Sequence, residues 1–80
     1  MKSFKILSGD ESREINASPD SPLYPGQDWN DLVIESIRLF HFQTGSSEIT
    51  VEFYGIDIYE DALIERMAEE QITVITRIYL

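Results

Sequence analysis

Hydrophobic and polar residues alternate most regularly in the last third of the chain, residues 48–80. Residues 49–54 alternate with a period of two, which is typical of a strand with one buried face. Residues 58–71 contain good helix formers and neither Gly nor Pro, and residues 72–80 alternate again. A helix of about thirteen residues is roughly 20 Å long, so it returns the chain along the first strand. The pattern predicts a β-α-β unit whose two strands are parallel.

The helix of this unit has a candidate start and a candidate buried face. Asp57 is a suitable N-cap, because its carboxylate can accept a hydrogen bond from a free N–H of the first turn. Glu60, three residues later, completes a capping-box pattern. Tyr59, Leu63 and Met67 recur at i, i+4 and i+8. This spacing places them on one side of a helix, and we expect that side to face the core.

The N-terminal residues predict a β-hairpin. Residues 3–8 alternate like a short strand, and Gly9 and Asp10 form a turn signal. Residues 12–17 can return as a second strand. Because Ile15 is its only strongly apolar residue, we expect this second strand to lie at an edge of the sheet.

A proline-rich loop is expected at residues 18–30, which contain all three prolines. Proline removes a backbone donor, and the residue before it avoids the helical conformation, so no regular element is predicted here. The segment carries the aromatic residues Tyr24 and Trp29. Two interpretations stay open: these side chains cover one end of the sheet, or they anchor a partner protein, since Tyr and Trp dominate interface hot spots.

Residues 31–43 fit neither period cleanly. As a helix, this segment has apolar residues all round its circumference and no polar face; as a strand, it has apolar residues on both faces. Its β-branched and aromatic content, the turn signal at residues 44–47 and the strand directly after it favour a hairpin. We therefore predict a central strand covered on both sides, with a helix over residues 30–42 as the alternative.

Together these elements predict a single α+β domain over residues 1–80. Its small mixed β-sheet has four to five strands, formed by an N-terminal hairpin or meander and the C-terminal β-α-β unit. One main helix packs on one face of that sheet. A chain of 80 residues buries only about 60–65 % of the surface that its unfolded form exposes. A cleft with many aligned catalytic groups is therefore hard to accommodate beside the core.

Charge is the most unusual property of the chain. Fifteen acidic and six basic residues give a formal net charge of −9. This charge opposes direct binding to nucleic acid and to anionic membranes, and it favours basic protein partners. The absence of cysteine excludes disulfides and thiolate chemistry. Because the sequence shows neither a signal peptide nor a membrane-spanning run, we expect a cytoplasmic protein.

The predicted helix carries a stripe of like charge. Asp61, Glu65 and Glu69 lie at i, i+4 and i+8, on the side opposite the apolar stripe, and Glu60 and Glu70 widen it. Neighbouring like charges at this spacing cost a helix about 0.2–0.5 kcal/mol each. The stripe is either a solvated face or a surface complementary to a basic partner.

Signals for catalysis or cofactor binding are weak. His41 is the only histidine, so a zinc site or a catalytic triad would depend wholly on it, and we expect a packed residue instead. Asp28 and Asp31 are closely spaced oxygen ligands, but the residue order of a calcium loop is missing. No glycine-rich phosphate-binding motif occurs in the sequence. We predict no cofactor, no metal and no enzymatic activity.

The sequence favours a small acidic protein-interaction module. The first hypothesis is an inhibitor or immunity-type protein that occupies the basic, nucleic-acid-handling surface of a larger partner. Anti-CRISPR and nuclease-immunity proteins share this physical character, without a shared motif. The second hypothesis is an assembly subunit that forms a homo-oligomer through its sheet edges and aromatic loop. The third is a small metal-binding or enzymatic domain that uses His41 and acidic residues.

Overall fold

The structure, a computed structural model, describes residues 2–17 and 29–79. The elements are, in chain order, β1 (Lys2–Ser8), β2 (Glu11–Ala17), α1 (Trp29–Thr44), β3 (Glu48–Tyr54), α2 (Glu60–Ala68) and β4 (Thr73–Tyr79). Within these residues the strands form one four-stranded sheet in the order β2-β1-β3-β4. The predicted α+β fold with a small mixed sheet is confirmed.

The pairing of the strands follows the sequence pattern. Strand β1 is antiparallel to both β2 and β3, and β4 is parallel to β3. The first pairing is the predicted N-terminal hairpin, with β2 at the edge, and the β3-α2-β4 segment is the predicted β-α-β unit. Phe4 of β1 lies between Ile15 of β2 and Phe53 of β3. This register aligns the apolar residues of neighbouring strands on one face of the sheet.

The segment at residues 31–43 is helical, so the predicted hairpin strand is wrong and its helical alternative is correct. Helix α1 buries Val33, Ile37 and Phe40, whose spacing of four and three residues forms one stripe. The β-branched and aromatic residues that favoured a strand serve here to pack this stripe against the sheet. Packing in the tertiary structure overrides a local preference of this kind.

Both helices lie on the same face of the sheet. Leu63 and Met67 of α2 belong to one buried cluster with the α1 stripe and the inward side chains of the strands. The covered face of the sheet carries Phe4, Ile6, Ile49, Val51, Phe53 and Val74. The expectation of one main helix is therefore wrong, because two helices share this face and α1 is the longer one. The other face of the sheet has no helix over it in the described parts of the chain.

Helix α2 begins later than predicted. Its N-cap is Tyr59 rather than Asp57, no side chain caps it, and the helix ends at Ala68 instead of near residue 71. The reason lies in the preceding segment, where Ile56 and Ile58 are both buried in a stretch without regular secondary structure. Their burial keeps the chain out of the helix past Asp57, and Tyr59 is extended, so the capping box does not form. Neither this helix nor any other in residues 2–17 and 29–79 is long and apolar enough to cross a membrane.

Candidate functional site

The outer side of α2 presents the predicted acidic stripe to solvent. Asp61, Glu65 and Glu69 are all exposed, while Leu63 and Met67 are buried beneath them. The helix spans Asp61 and Glu65, and Glu69 is its C-cap residue in a helical conformation. The spacing of i, i+4 and i+8 in the sequence therefore correctly predicted that these three side chains lie on the exposed side of the helix.

Only part of this stripe is neutralised inside the molecule. Glu69 lies 3.5 Å from the guanidinium of Arg66, and both side chains are well exposed. In the part of the chain that the structure describes, Asp61 and Glu65 take part in no ion pair. The negative charge of Asp61 in the first turn and of Glu65 in the next is therefore available to a partner.

Glu70, predicted to widen the stripe, is instead bound to the other helix. Its two carboxylate oxygens accept hydrogen bonds of 2.7 Å from Nε and Nη2 of Arg38 in α1. These bonds lower the pKa of Glu70 and raise the pKa of Arg38. This bidentate pair has the geometry that gives Arg–carboxylate contacts their directional specificity. It fastens the end of α2 to α1.

Glu60 is also engaged within the fold. Its carboxylate accepts a hydrogen bond from the hydroxyl of Thr76, which lies on the covered face of β4. The bond ties the first turn of α2 to the strand beneath it. Of the five carboxylates predicted to form the surface, Asp61, Glu65 and Glu69 face solvent without a bond to another element of the described fold. Glu60 is also exposed but is bonded to β4, and Glu70 is partly buried and bonded to α1.

The start of α2 exposes an aromatic ring that was expected in the core. Tyr59 is 82 % exposed, so its predicted place in the buried stripe is wrong. The cause is the late start of the helix, because Tyr59 precedes the first turn and does not follow its periodicity. It lines a shallow depression of about 390 Å³ together with Ile58, Glu60, Asp61 and Ala62. An aromatic side chain thus lies next to the acidic stripe.

The two aromatic residues predicted as partner anchors have different outcomes. Trp29 is the first residue of α1 and is partly buried against the core. Its ring and that of Phe4 form a T-shaped pair, with a centroid distance of 6.3 Å and an angle of 83° between the ring planes. This is the covering role, and it leaves little of Trp29 for a partner. Tyr24 lies outside the described residues, so its role stays a prediction.

Helix α1 adds an exposed apolar pair that the sequence-based reasoning did not single out. Leu39 is 52 % exposed and Phe42 is 85 % exposed, on the side opposite the buried stripe. The signal was present in the sequence as the apolar residues all round the helical circumference. A helix packed on one side only, with apolar residues on both, must leave some of them in water.

His41 has a structural role at the end of α1. Its Nδ1 lies 2.6 Å from the carbonyl oxygen of Ser46. Because a carbonyl can only accept, Nδ1 is the protonated nitrogen and donates this bond. Across residues 2–17 and 29–79, no group of three His, Asp or Glu side chains is arranged to hold a metal ion. The bond fixes the turn that leads from α1 into β3.

Comparisons with known proteins add no family or relative to this picture. No protein-family model matches the chain, and neither the curated proteins nor the solved structures contain a significant match. The function must therefore be argued from the surfaces themselves.

Proposed function

We propose that this protein is an interaction module that binds the basic surface of a partner protein through the outer face of α2. The proposal depends on one observation: Asp61 and Glu65 are exposed and, among the described residues, have no ion-pair partner. Two carboxylates one turn apart repel each other by about 0.2–0.5 kcal/mol. A cationic surface that approaches both carboxylates attracts each of them, and this attraction outweighs the repulsion between them.

The net charge of −9 extends this attraction beyond the contact itself. Complementary potentials mainly accelerate association and exclude wrong partners, and they add less to the final affinity. The acidic face therefore selects and orients a basic partner. A second kind of contact is needed to hold it.

The exposed apolar pair of α1 supplies that contact. Leu39 and Phe42 lie on the helix that is fastened to α2 through Arg38 and Glu70, and both helices form the same layer over the sheet. Large aromatic side chains in the centre of an interface slow its dissociation, because they bury much apolar area with few rotatable bonds. Phe42 is thus the proposed anchor, and Asp61 and Glu65 are the proposed steering charges.

The partner class that fits is a nucleic-acid-handling protein, whose basic surface normally meets phosphates. Along α2 one carboxylate recurs about every 6 Å, from four residues at about 1.5 Å each. A DNA strand carries one phosphate per roughly 3.4 Å. The stripe is about half as dense as a strand, so it can compete for part of such a surface. This is the action of an inhibitor or immunity-type protein, and we place it in the cytoplasm.

The test is capture of partners from native lysate on the immobilised full chain, at low and at high salt, followed by titration of each captured protein. Binding through exposed carboxylates weakens as salt rises, because interactions between charges further apart than the Debye length, about 10 Å at 0.1 M, are largely screened. The partner should also lose bound nucleic acid when the protein is added. Asp61→Asn combined with Glu65→Gln should weaken the binding ~10-fold at low salt.

A matched control removes the same charge elsewhere. Asp10→Asn with Glu11→Gln neutralises two exposed carboxylates at the β1-β2 turn, far along the chain from α2. If this pair weakens binding as much as the α2 pair does, the attraction depends on net charge alone and the proposed site is wrong. Phe42→Ala should raise the dissociation rate and leave the association rate nearly unchanged.

A further inference from the structure

The outer edge of β4 carries backbone groups that no strand of the described residues uses. The N–H of Thr73 donates to Ser47 at 2.7 Å, and the carbonyl of Tyr79 accepts from the N–H of Gly55 at 2.9 Å. In a parallel ladder, alternate residues direct both backbone groups to the same neighbour. The odd-numbered residues of β4 therefore bond to β3, and the even-numbered ones face outward.

Three residues make up this outward-facing set, namely Val74, Thr76 and Ile78. Each of them offers one N–H and one C=O, which are strong hydrogen-bonding groups. An edge of this kind is a ready template for a further strand.

The two edges of the sheet differ in their protection. Proteins discourage edge pairing with charged residues, prolines or bulges. The edge strand β2 carries Glu11, Arg13 and Glu14, all exposed. The edge strand β4, by contrast, contains neither proline nor lysine, is rich in β-branched residues, and has Arg77 as its only charge. Of the two sheet edges in the described part of the chain, β4 is therefore the one that lacks this protection.

Charge indicates which molecule can pair there. Residues 71–80 contain no Asp or Glu, in a chain whose net charge is −9. Two copies of this chain repel each other over most of their surfaces, and β4 is the sheet edge whose own side chains add nothing to that repulsion. The carboxylate bonded to this strand, that of Glu60, accepts a hydrogen bond from Thr76. A strongly basic partner, by contrast, finds no carboxylate on the strand with which it would pair. The occupant that fits is a second copy.

We propose that two copies of the chain associate by antiparallel pairing of β4 with β4 and so form a continuous eight-stranded sheet. The register that pairs all seven residues of the strand places Thr76 opposite its own counterpart. Val74 then lies opposite Ile78 of the second copy, and these are the hydrogen-bonded pairs, because their backbone groups face outward. The ladder uses backbone groups of β4, whereas the proposed binding face uses side chains on the outer side of α2, so either proposal can fail without the other.

This register has a specific consequence on the uncovered face of the sheet. Ile75, which is 55 % exposed, lies opposite Arg77 of the second copy, and two-fold symmetry repeats the pair. Directly opposed side chains in an antiparallel pair have Cβ atoms about 4.5–5.5 Å apart, so opposite charges attract and like charges repel. A charged residue at position 75 therefore tests the register. Its contact with Arg77 and its change to the net charge should affect the stability of the dimer in opposite directions.

The test compares Ile75→Lys with Ile75→Glu by sedimentation equilibrium of the full chain. The lysine lowers the net negative charge, yet it faces Arg77, whose side chain is 60 % exposed and lies 3.7 Å from Glu52 of its own chain. This substitution should weaken the dimer several-fold. The glutamate raises the net negative charge, yet it should pair with Arg77 and preserve or strengthen the dimer. The reverse order would overturn the register, and a wild-type chain that stays monomeric up to about 1 mM would overturn the proposal.

A second measurement checks the hydrogen bonds directly. Raising the protein concentration should slow amide exchange at Val74, Thr76 and Ile78, while the inward amides of β4 stay unchanged. Thr76→Pro removes one outward N–H and should abolish association. The variant should still fold, because a proline is tolerated in an edge strand. Thr76→Val is its control, because it loses the hydroxyl bond to Glu60 but keeps the N–H, and it should still dimerise. Loss of the dimer in both variants, or exchange independent of concentration, would contradict edge pairing.

Discussion

The two helices of this protein pack side by side on one sheet, yet they contribute differently: α1 supplies more of the core, and α2 presents carboxylates to solvent. Helix α1 has 16 residues and contributes Val33, Ile37 and Phe40 to the core. Helix α2 has 9 residues, buries Leu63 and Met67, and turns its carboxylates to solvent. Helix α2 is amphipathic in the ordinary way, whereas α1 is apolar on both sides. The difference teaches that an irregular hydrophobic pattern can mark a helix with two contact surfaces.

The largest effect is expected from truncating the core stripe of α1. Phe40 is 1 % exposed, and the guanidinium of Arg13 lies 5.9 Å from the centre of its ring. Phe40→Ala should lower the free energy of unfolding by about 3–5 kcal/mol, through lost apolar burial and the cavity left behind. Leu63→Ala in α2 should cost about 2–3 kcal/mol, because α2 is short and lies on the outer strand β4. Urea denaturation followed by circular dichroism measures both.

A milder substitution keeps this comparison measurable if Phe40→Ala does not fold, since domains have only about 5–15 kcal/mol of stability. Phe40→Leu retains most of the volume and should cost clearly less than Phe40→Ala. If the α1 and α2 variants were equally destabilised, the division of tasks between the helices would be wrong.

The same difference explains which parts of the molecule the sequence predicts. The strands and α2 have one face in the core and one in water, so their periods of two and 3.6 are visible in the sequence. In α1, exposed residues such as Leu39 and Phe42 hide the period of the buried stripe. The ends of α2 were missed for a different reason: the burial of Ile56 and Ile58 depends on the assembled core. The engagement of Glu60 and Glu70 likewise depends on Thr76 and Arg38, which are distant in sequence.

Substitutions in the turns that follow the two helices should change the stability of the fold in opposite directions. Helix α1 is followed by Gly45 at φ +75°, whereas the turn after α2 places Gln71 at φ +63°. A side chain in this left-handed conformation costs about 1–2 kcal/mol relative to glycine. Gly45→Ala should therefore destabilise the fold by about 1 kcal/mol, although its Cβ would meet no neighbouring atom. Gln71→Gly should stabilise the fold by about 0.5–1 kcal/mol, after the entropy of glycine in the unfolded chain is subtracted.

Thermal unfolding of both variants checks this prediction. Gly9 at φ +58° in the β1-β2 turn is a control outside the helices, and Gly9→Ala should resemble Gly45→Ala. A stabilising Gly45→Ala, or a destabilising Gln71→Gly, would show that the backbone conformation is not the controlling factor.

The contact between the helices should depend on pH. The pKa of Glu70 is lowered because Arg38 donates two hydrogen bonds to its carboxylate. A carboxyl group whose pKa is lower in the folded state stabilises the fold above its unfolded pKa, about 4.3. This contribution is lost as the pH falls through the lower, folded pKa. The stability difference between wild type and Glu70→Gln should therefore be present at neutral pH and shrink on acidification.

The pair is partly exposed, at 42 % for Arg38 and 30 % for Glu70, so solvent and salt screen it and the effect should be modest. A double-mutant cycle isolates it: in an Arg38→Gln background, Glu70→Gln should no longer produce a pH-dependent difference. If the pH dependence persists in that background, it originates elsewhere in the molecule.

The smallest effect on stability is expected at the residue with the largest proposed effect on binding. Phe42 is 85 % exposed, so Phe42→Ala removes almost no buried area, and alanine is the better helix former. The free energy of unfolding should stay within about 0.5 kcal/mol of wild type, or rise slightly. Phe40→Ala, two residues earlier on the same helix, is the contrasting case. Equal destabilisation by both substitutions would mean that α1 has no solvent-facing side, and the second contact surface on this helix would have to be abandoned.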